Sequence, residues 1–325
     1  MFKLKVSANA QSRKETTDRP QVDWDALNAH VIEQAKTASK KRSLPGVISG
    51  IIDLGEQKRE DGKVVFTGTE EEKREIIAKY PKTYFENGKD DKGNDAILKR
   101  WPQNPVQAIG ITVDFPQILV NKKKFIEGGE GEELPLRLSL NGEFSVQTES
   151  GSRERIVGRP FNLVEKKHEN GHWGFAKNSL IHQLAEAADL LDEHGLFSKD
   201  RVGELLGKAA QFEVRVYMKQ SKSDKTKSFF TEDISLAGLI PEGVPVPELD
   251  QSLLYGINVD DVNSPDAIKQ LRVSFKNTIK RAVNYNGSVI QGEFGETVKG
   301  DDDGSDDAPP APAPDYDQFD DDIPF

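Results

Sequence analysis

The 325-residue chain has no cysteine. Disulfides and thiolate metal sites are therefore excluded. No apolar run approaches the roughly 18–20 residues of a membrane-spanning helix. The opening Met1-Phe2-Lys3-Leu4-Lys5 lacks the apolar core of a signal peptide. Enzymatic signatures are missing as well. There is no phosphate-binding P-loop, no Gly-x-Ser-x-Gly elbow and no Lys-x-Asp-Gly motif. The histidines are His30, His168, His172, His182 and His194. His168 and His172 have ligand-like spacing, but Glu169-Asn170-Gly171 between them reads as a turn, so no metal and no cofactor is expected. The expectation is a cytoplasmic protein that is not an enzyme and does not enter a membrane.

Charge is distributed unevenly. The chain carries 44 Lys and Arg against 55 Asp and Glu, a net charge of −11. Residues 301–325 hold ten Asp and no Lys or Arg. Without them the balance is 44 against 45, a net charge of −1. The acidity belongs to the tail, and the near-neutral remainder can carry basic patches. Residues 300–325 are Gly, Asp, Ala and Pro with almost nothing to bury, which predicts a disordered coil. A coil of that length reaches about 25–30 Å, enough to fold back over a neighbouring groove.

The tail ends in Asp320-Asp321-Asp322-Ile323-Pro324-Phe325. Nothing in folding physics needs an exposed Phe on such a tether. Phe325 can enter an apolar pocket while its α-carboxylate meets a cation at the rim, and the aspartates speed association with a basic surface. This hexamer resembles the C-terminal tip of bacterial single-stranded DNA-binding proteins residue for residue. The resemblance implies binding to single-stranded DNA and docking of replication and repair proteins, such as a polymerase, primase, helicase or nuclease, through Asp320–Phe325. It also implies an OB-fold. The body is much longer than a bacterial single-stranded DNA-binding domain, which points to a bacteriophage protein whose tip recruits host machinery in the host cytoplasm.

Periodicity predicts a mixed α+β chain, mainly β. Asp23 caps a helix over 23–39, and Pro45-Gly46 is expected to break the chain before a strand over 47–55. Residues 63–67 read as the hairpin partner of that strand. A capping-box pattern, Thr69 to Glu72, opens a helix in an apparent insertion that runs to Gly93. Residues 106–113 and 118–125 read as two strands around Pro116. Residues 134–140 and 144–148 flank Asn141-Gly142, a hairpin signal. A strand segment over 155–166 and a helix over 178–193 follow, then a short helix over 199–206 and strands over 212–218 and 229–236. Ser264-Pro265-Asp266 starts a final helix that buries Ile268, Leu271, Phe275, Ile279 and Val283 and shows Arg272, Lys276 and Lys280 as a basic stripe. The expected organisation is an N-terminal arm and helix over 1–44 and an OB-fold-like Greek-key β-barrel with insertions over 45–240. A connection with a C-terminal helix follows over 241–299, and then the acidic tail over 300–325.

Binding to single strands without sequence preference needs cations along a groove and aromatic faces for base stacking. Three clusters rank highest: Lys99-Arg100-Trp101; Lys122-Lys123-Lys124-Phe125; and Tyr217 with Lys219, Lys222, Lys225, Lys227 and Phe229. Trp173, after Lys166-Lys167, is a further candidate, and Tyr80, Tyr84 and Phe85 lie near Lys79 and Lys82. Alone, each cluster could equally be a solvated loop beside a core aromatic. Two other functions remain open: a recombination adaptor or annealing protein, and a phage nuclease with a recruitment tail.

Overall fold

The computed structural model describes residues 22–127, 129–140, 142, 145–147, 153–155, 160–221 and 225–295, the segments 145–147 and 153–155 by their backbone alone. The N-terminal arm before residue 22, Lys222 and the tail with its tip Asp320–Phe325 lie outside these residues. Within them the fold is α+β and mainly β, and every strand pairing but one is antiparallel.

Helix α1 (Trp24–Ala35) begins where the sequence predicts, with the Asp23 carboxylate accepting from the Ala26 N–H at 3.1 Å. It stops early because Lys36 turns left-handed at φ 52°. Strand β1 (Arg42–Gln57) starts earlier than expected and runs straight through Pro45-Gly46. Gly46 is a close-approach residue there, since a Cβ would sit 2.7 Å from Val113 Cγ1 and 2.8 Å from Phe115. The insertion that follows holds β2 (Gly62–Phe66), α2 (Glu70–Lys79), β3 (Tyr84–Lys89) and β4 (Asp95–Trp101). The expected pairing of residues 63–67 with β1 does not form. β2 pairs with β4 instead, in a separate sheet of order β2-β4-β3. β3 has apolar residues only at its start and β4 has them as a run rather than in alternation, so a period of two does not reveal either strand. The capping box of α2 is present in both directions, Glu72 N–H to Thr69 Oγ1 at 3.2 Å and Thr69 N–H to the Glu72 carboxylate at 2.7 Å.

Strand β5 (Val106–Val120) replaces the two strands expected around Pro116. An irregularity between Phe115 and Leu119 absorbs the proline within one strand. Next come β6 (Leu134–Leu140), β7 (Ser145–Gln147), β8 (Arg153–Arg155), β9 (Phe161–Asn162), β10 (Glu165–Lys167) and β11 (Trp173–Phe175). β7 pairs with β8 rather than folding back on β6, and the segment expected as one strand over 155–166 is divided among β8, β9 and β10. Helix α3 (Leu180–Ala187) is shorter than predicted, because Asp189 turns left-handed at φ 55°. Strands β12 (Ala209–Gln220) and β13 (Ser228–Gly238) form a long hairpin, and β14 (Tyr255–Ile257) adds to β1 in parallel. Helices α4 (Pro265–Gln270), α5 (Val273–Ile279) and α6 (Val289–Glu293) finish the described chain.

The main sheet has the order β13-β12-β1-β5-β6, with β14 on β1 and β9 on β5. Its inner face builds the larger core. Ile111, Val113 and Phe115 from β5 meet Leu136 and Leu138 from β6 and Phe212, Val214 and Val216 from β12. Helices α1 and α3 pack against this cluster. The outer face builds a second core, where Ile52, Leu54 and Ala108 meet Tyr255, Ile257, Leu271, Phe275 and Ile279. The Phe275 ring lies over Gly110, whose Cβ would stand 2.6 Å from it.

A polar network joins the outer face to the C-terminal segment. The buried Asp114 accepts from Arg137 Nε at 2.7 Å, from Arg137 Nη2 at 2.9 Å and from Ser49 Oγ at 2.6 Å. Arg137 also reaches Gln270 and the Leu253 carbonyl, and its guanidinium stands 4.8 Å from the Tyr255 ring centroid. Burial opposes its charge, but Asp114 and Tyr255 together outweigh burial and hold its pKa above the ordinary value. Arg272 donates to the Glu232 carboxylate of β13 and to the Arg137 carbonyl of β6. Glu232 in turn accepts from the Ser139 N–H. These bonds bridge the two ends of the strand path, β13 and β6.

Arg272 explains why the expected single final helix is broken. It adopts extended backbone at φ −64°, ψ 149° between α4 and α5, and its side chain turns into the network. The predicted basic stripe therefore loses its first member to the interior. Val283, expected to be buried, is exposed.

Candidate nucleic-acid interface

The inserted sheet places side chains by strand alternation. In β4 the register pairs Lys99 with Val64 and Phe85, and Trp101 with Gly62. Lys99 and Trp101 share one face, and Arg100 points to the other. There Arg100 Nε meets the Glu86 carboxylate at 2.7 Å. Tyr84 is on that second face too, with its hydroxyl donating to Asp61 at 2.9 Å. That bond to a carboxylate raises the Tyr84 pKa. Of the predicted triplet, Lys99 and Trp101 are placed together, and Arg100 is committed elsewhere.

Helix α2 covers part of the first face. Lys73 lies near the rings of Phe66 and Phe85, which meet edge to face at 4.9 Å. Beyond the end of α2 the chain turns back through Tyr80, Pro81 and Lys82. An open groove of about 660 Å³ remains between this turn and β4. Two aromatic rings, Tyr80 and Trp101, and three lysines, Lys79, Lys82 and Lys99, line it. The Lys79 ammonium stands 5.5 Å from the Tyr80 ring centroid, and that of Lys99 5.8 Å from Trp101. The sequence shows these residues as two clusters some twenty positions apart, and only the pairing of β3 with β4 brings them together.

The hairpin of β12 and β13 carries the second patch. Register pairs Tyr217 with Thr231 and Lys219 with Phe229, so Tyr217, Lys219 and Phe229 share the outer face. Val216 and Phe230 point the other way and belong to the core. The Arg215 guanidinium lies 4.1 Å from the Tyr217 ring centroid. Lys225 and Lys227 are exposed in the connection between the strands.

The remaining candidates separate. Phe125 is not a free stacking surface, since its ring packs on His30 at 5.1 Å and against the core. Lys123 and Lys124 are exposed in the short helical turn Lys123–Phe125. Lys122 is partly buried. Desolvation pushes its pKa down to about 8, Arg272 adds to the shift, and Glu232 opposes it. Trp173 is 61 % exposed on β11, opposite Lys167. His172 stacks on His194 with ring centroids 4.0 Å apart. Among the described residues no cluster of three or more His, Asp or Glu could hold a metal ion, and no helix is long and apolar enough to cross a membrane.

Sequence reasoning missed the network of Asp114, Arg137, Glu232, Arg272 and Tyr255 entirely. These residues are scattered over more than 150 positions, and no local pattern marks them.

Comparison with known proteins places none beside this chain: no protein family, curated protein or solved structure matches it.

Proposed function

We propose that this chain is a single-stranded DNA-binding protein of replication, recombination and repair that coats unpaired strands without sequence preference. The observation that carries the reading is where the basic and aromatic residues fall on the strand path. The order β13-β12-β1-β5-β6, with α3 between β6 and β12, corresponds to the fifth, fourth, first, second and third strands of an OB-fold. An OB-fold binds oligonucleotides through the loops after its first and fourth strands and the face of its second and third. Here the groove of Tyr80 and Trp101 lies on the connection from β1 to β5. The patch of Tyr217, Lys219 and Phe229 flanks the connection from β12 to β13.

The tip Asp320–Phe325 docks replication or repair proteins in this proposal, which rests on its resemblance to bacterial single-stranded DNA-binding proteins. The ten aspartates of residues 301–325 compete with DNA for the basic patches until a strand displaces them. The test is a titration of oligo-dT against salt, for the full chain and for a version ending at Lys299. Expected are binding by both, with log K falling by about 0.7 per phosphate contact for each tenfold rise in salt, and tighter binding by the shorter chain at low salt. No binding by either chain at low salt overturns the proposal.

One observation favours a second reading, a recombination adaptor or annealing protein that grips DNA weakly. The outer face of β1, β5 and β6 is occupied by the chain's own residues 253–282. Rapid annealing of complementary strands together with weak coating would support that alternative.

A further inference from the structure

We propose that the groove of the inserted sheet holds one unpaired DNA base against Trp101 and Tyr80, with the flanking phosphates on Lys79, Lys82 and Lys99. This inference rests on the function proposed above and locates a stacking site within it. Three features of the groove argue for it.

Trp101 is set in place before any ligand arrives. A Cβ at Gly62 would lie 2.3 Å from the indole Cε2, so the ring rests on bare backbone there. The support fixes the ring plane, and 38 % of the residue stays exposed. Tyr80, across the groove, is 53 % exposed. A monomeric fold gains nothing by leaving two large aromatics open beside each other, whereas a base gains a rigid platform at little ordering cost.

The lysines are uncommitted. Among the described residues none of Lys79, Lys82 and Lys99 makes an ion pair. The contact of Lys99 with Trp101, at 5.8 Å, is near the outer limit of a cation–π interaction. Its flexible stem lets the ammonium swing to a phosphate when a base takes the ring. The neighbouring cation Arg100 is locked to Glu86, which leaves three cations for the strand.

The usual stacking surface is closed. The face of the second and third strands that serves this purpose in an OB-fold corresponds to the outer face of β5 and β6. Thr112, Asp114 and Arg137 on that face are buried under Tyr255, Gln270 and Arg272. Stacking must then occur elsewhere, and the groove offers rings, cations and open volume together.

The experiment uses the full chain with Trp24→Phe and Trp173→Phe, which leaves Trp101 as the only indole. Oligo-dT carrying a fluorescent label reports binding by anisotropy while Trp101 emission reports stacking. Expected is quenching of Trp101 that saturates with the anisotropy. In the natural background, Trp101→Ala and Tyr80→Ala should each weaken binding at least about fivefold, with Trp101→Phe retaining most of it. Unchanged unfolding midpoints would assign the loss to stacking. If the oligomer binds with unaltered Trp101 emission, and Trp101→Ala binds as tightly as the natural chain, the groove is not the stacking site while the coating function stands. If the natural chain binds no oligomer, both fall.

Discussion

Two cation–aromatic pairs in this molecule have opposite fates. Arg137 stands 4.8 Å from the ring of Tyr255, and Lys99 stands 5.8 Å from that of Trp101. The first pair is buried, and its guanidinium is held by Asp114, Gln270 and a backbone carbonyl. The second is partly exposed at the groove, and its ammonium has no carboxylate partner. A buried cation must be matched by acceptors, because removing it from water costs several kcal/mol that only close partners offset. An exposed cation has no such requirement and stays available to a mobile anion. The same chemistry thus fastens the C-terminal segment in one place and leaves an unpaired ammonium beside a ring on the inserted sheet in the other.

Breaking the fastening should have the largest effect. Asp114→Asn leaves Arg137 buried without its counter-charge. A loss of about 3–5 kcal/mol is expected in urea unfolding, as for other buried pairs stripped of one member. A loss under 1 kcal/mol would mean that water reaches Arg137 and that the two regions differ less than their burial indicates. Lys79, Lys82 and Lys99 changed together to Gln should do the reverse. Stability should shift by no more than about 0.5 kcal/mol, while the slope of log K against log salt for oligo-dT should become shallower by about 2. An unaltered slope would remove the groove from the DNA path.

A third measurement concerns Thr69→Ala, which removes the cap of α2. It should cost about 1 kcal/mol, with faster hydrogen exchange confined to the inserted sheet. If exchange also rises in β5 and β12, the insertion is coupled to the main sheet more tightly than its separate sheet suggests.

The last expected effect is a pH dependence at Lys122. Its folded pKa, about 8, lies below the ordinary 10.5, so the unfolded chain binds more protons between those values. Lys122 therefore penalises folding fully below pH 8, and stability should rise from there towards pH 10. Lys122→Met should flatten that rise relative to the natural chain in urea unfolding at pH 8 and pH 10. Equal slopes in the two proteins would show that the ammonium is solvated after all.

Local elements were legible wherever they depend on neighbours in sequence. Asp23 and Thr69 cap the helices that their side chains predict. Strands of alternating pattern such as β12 were found, with ends displaced by a few residues. Elements whose existence depends on distant partners were not. β3 and β4 lack regular alternation and form because β4 pairs with β3 on one side and with β2 on the other. Pro45 and Pro116 read as breaks, yet both lie inside long strands, since the sheet tolerates a missing N–H where the ladder shifts or the edge is free.

The sequence by itself determined the charge segregation, the tip Asp320–Phe325, the absence of thiol chemistry and the mainly-β class. Composition and short motifs carry these properties, and each is local. Only the tertiary structure decided which cations are free. Arg272 and Lys276 are one helical turn apart in sequence, yet Arg272 is consumed by Glu232 and the Arg137 carbonyl. Lys99 and Arg100 are adjacent, and strand alternation sends one to the groove and the other to Glu86. A cation's availability is set by what packs against it, and that depends on contacts between residues far apart in the chain.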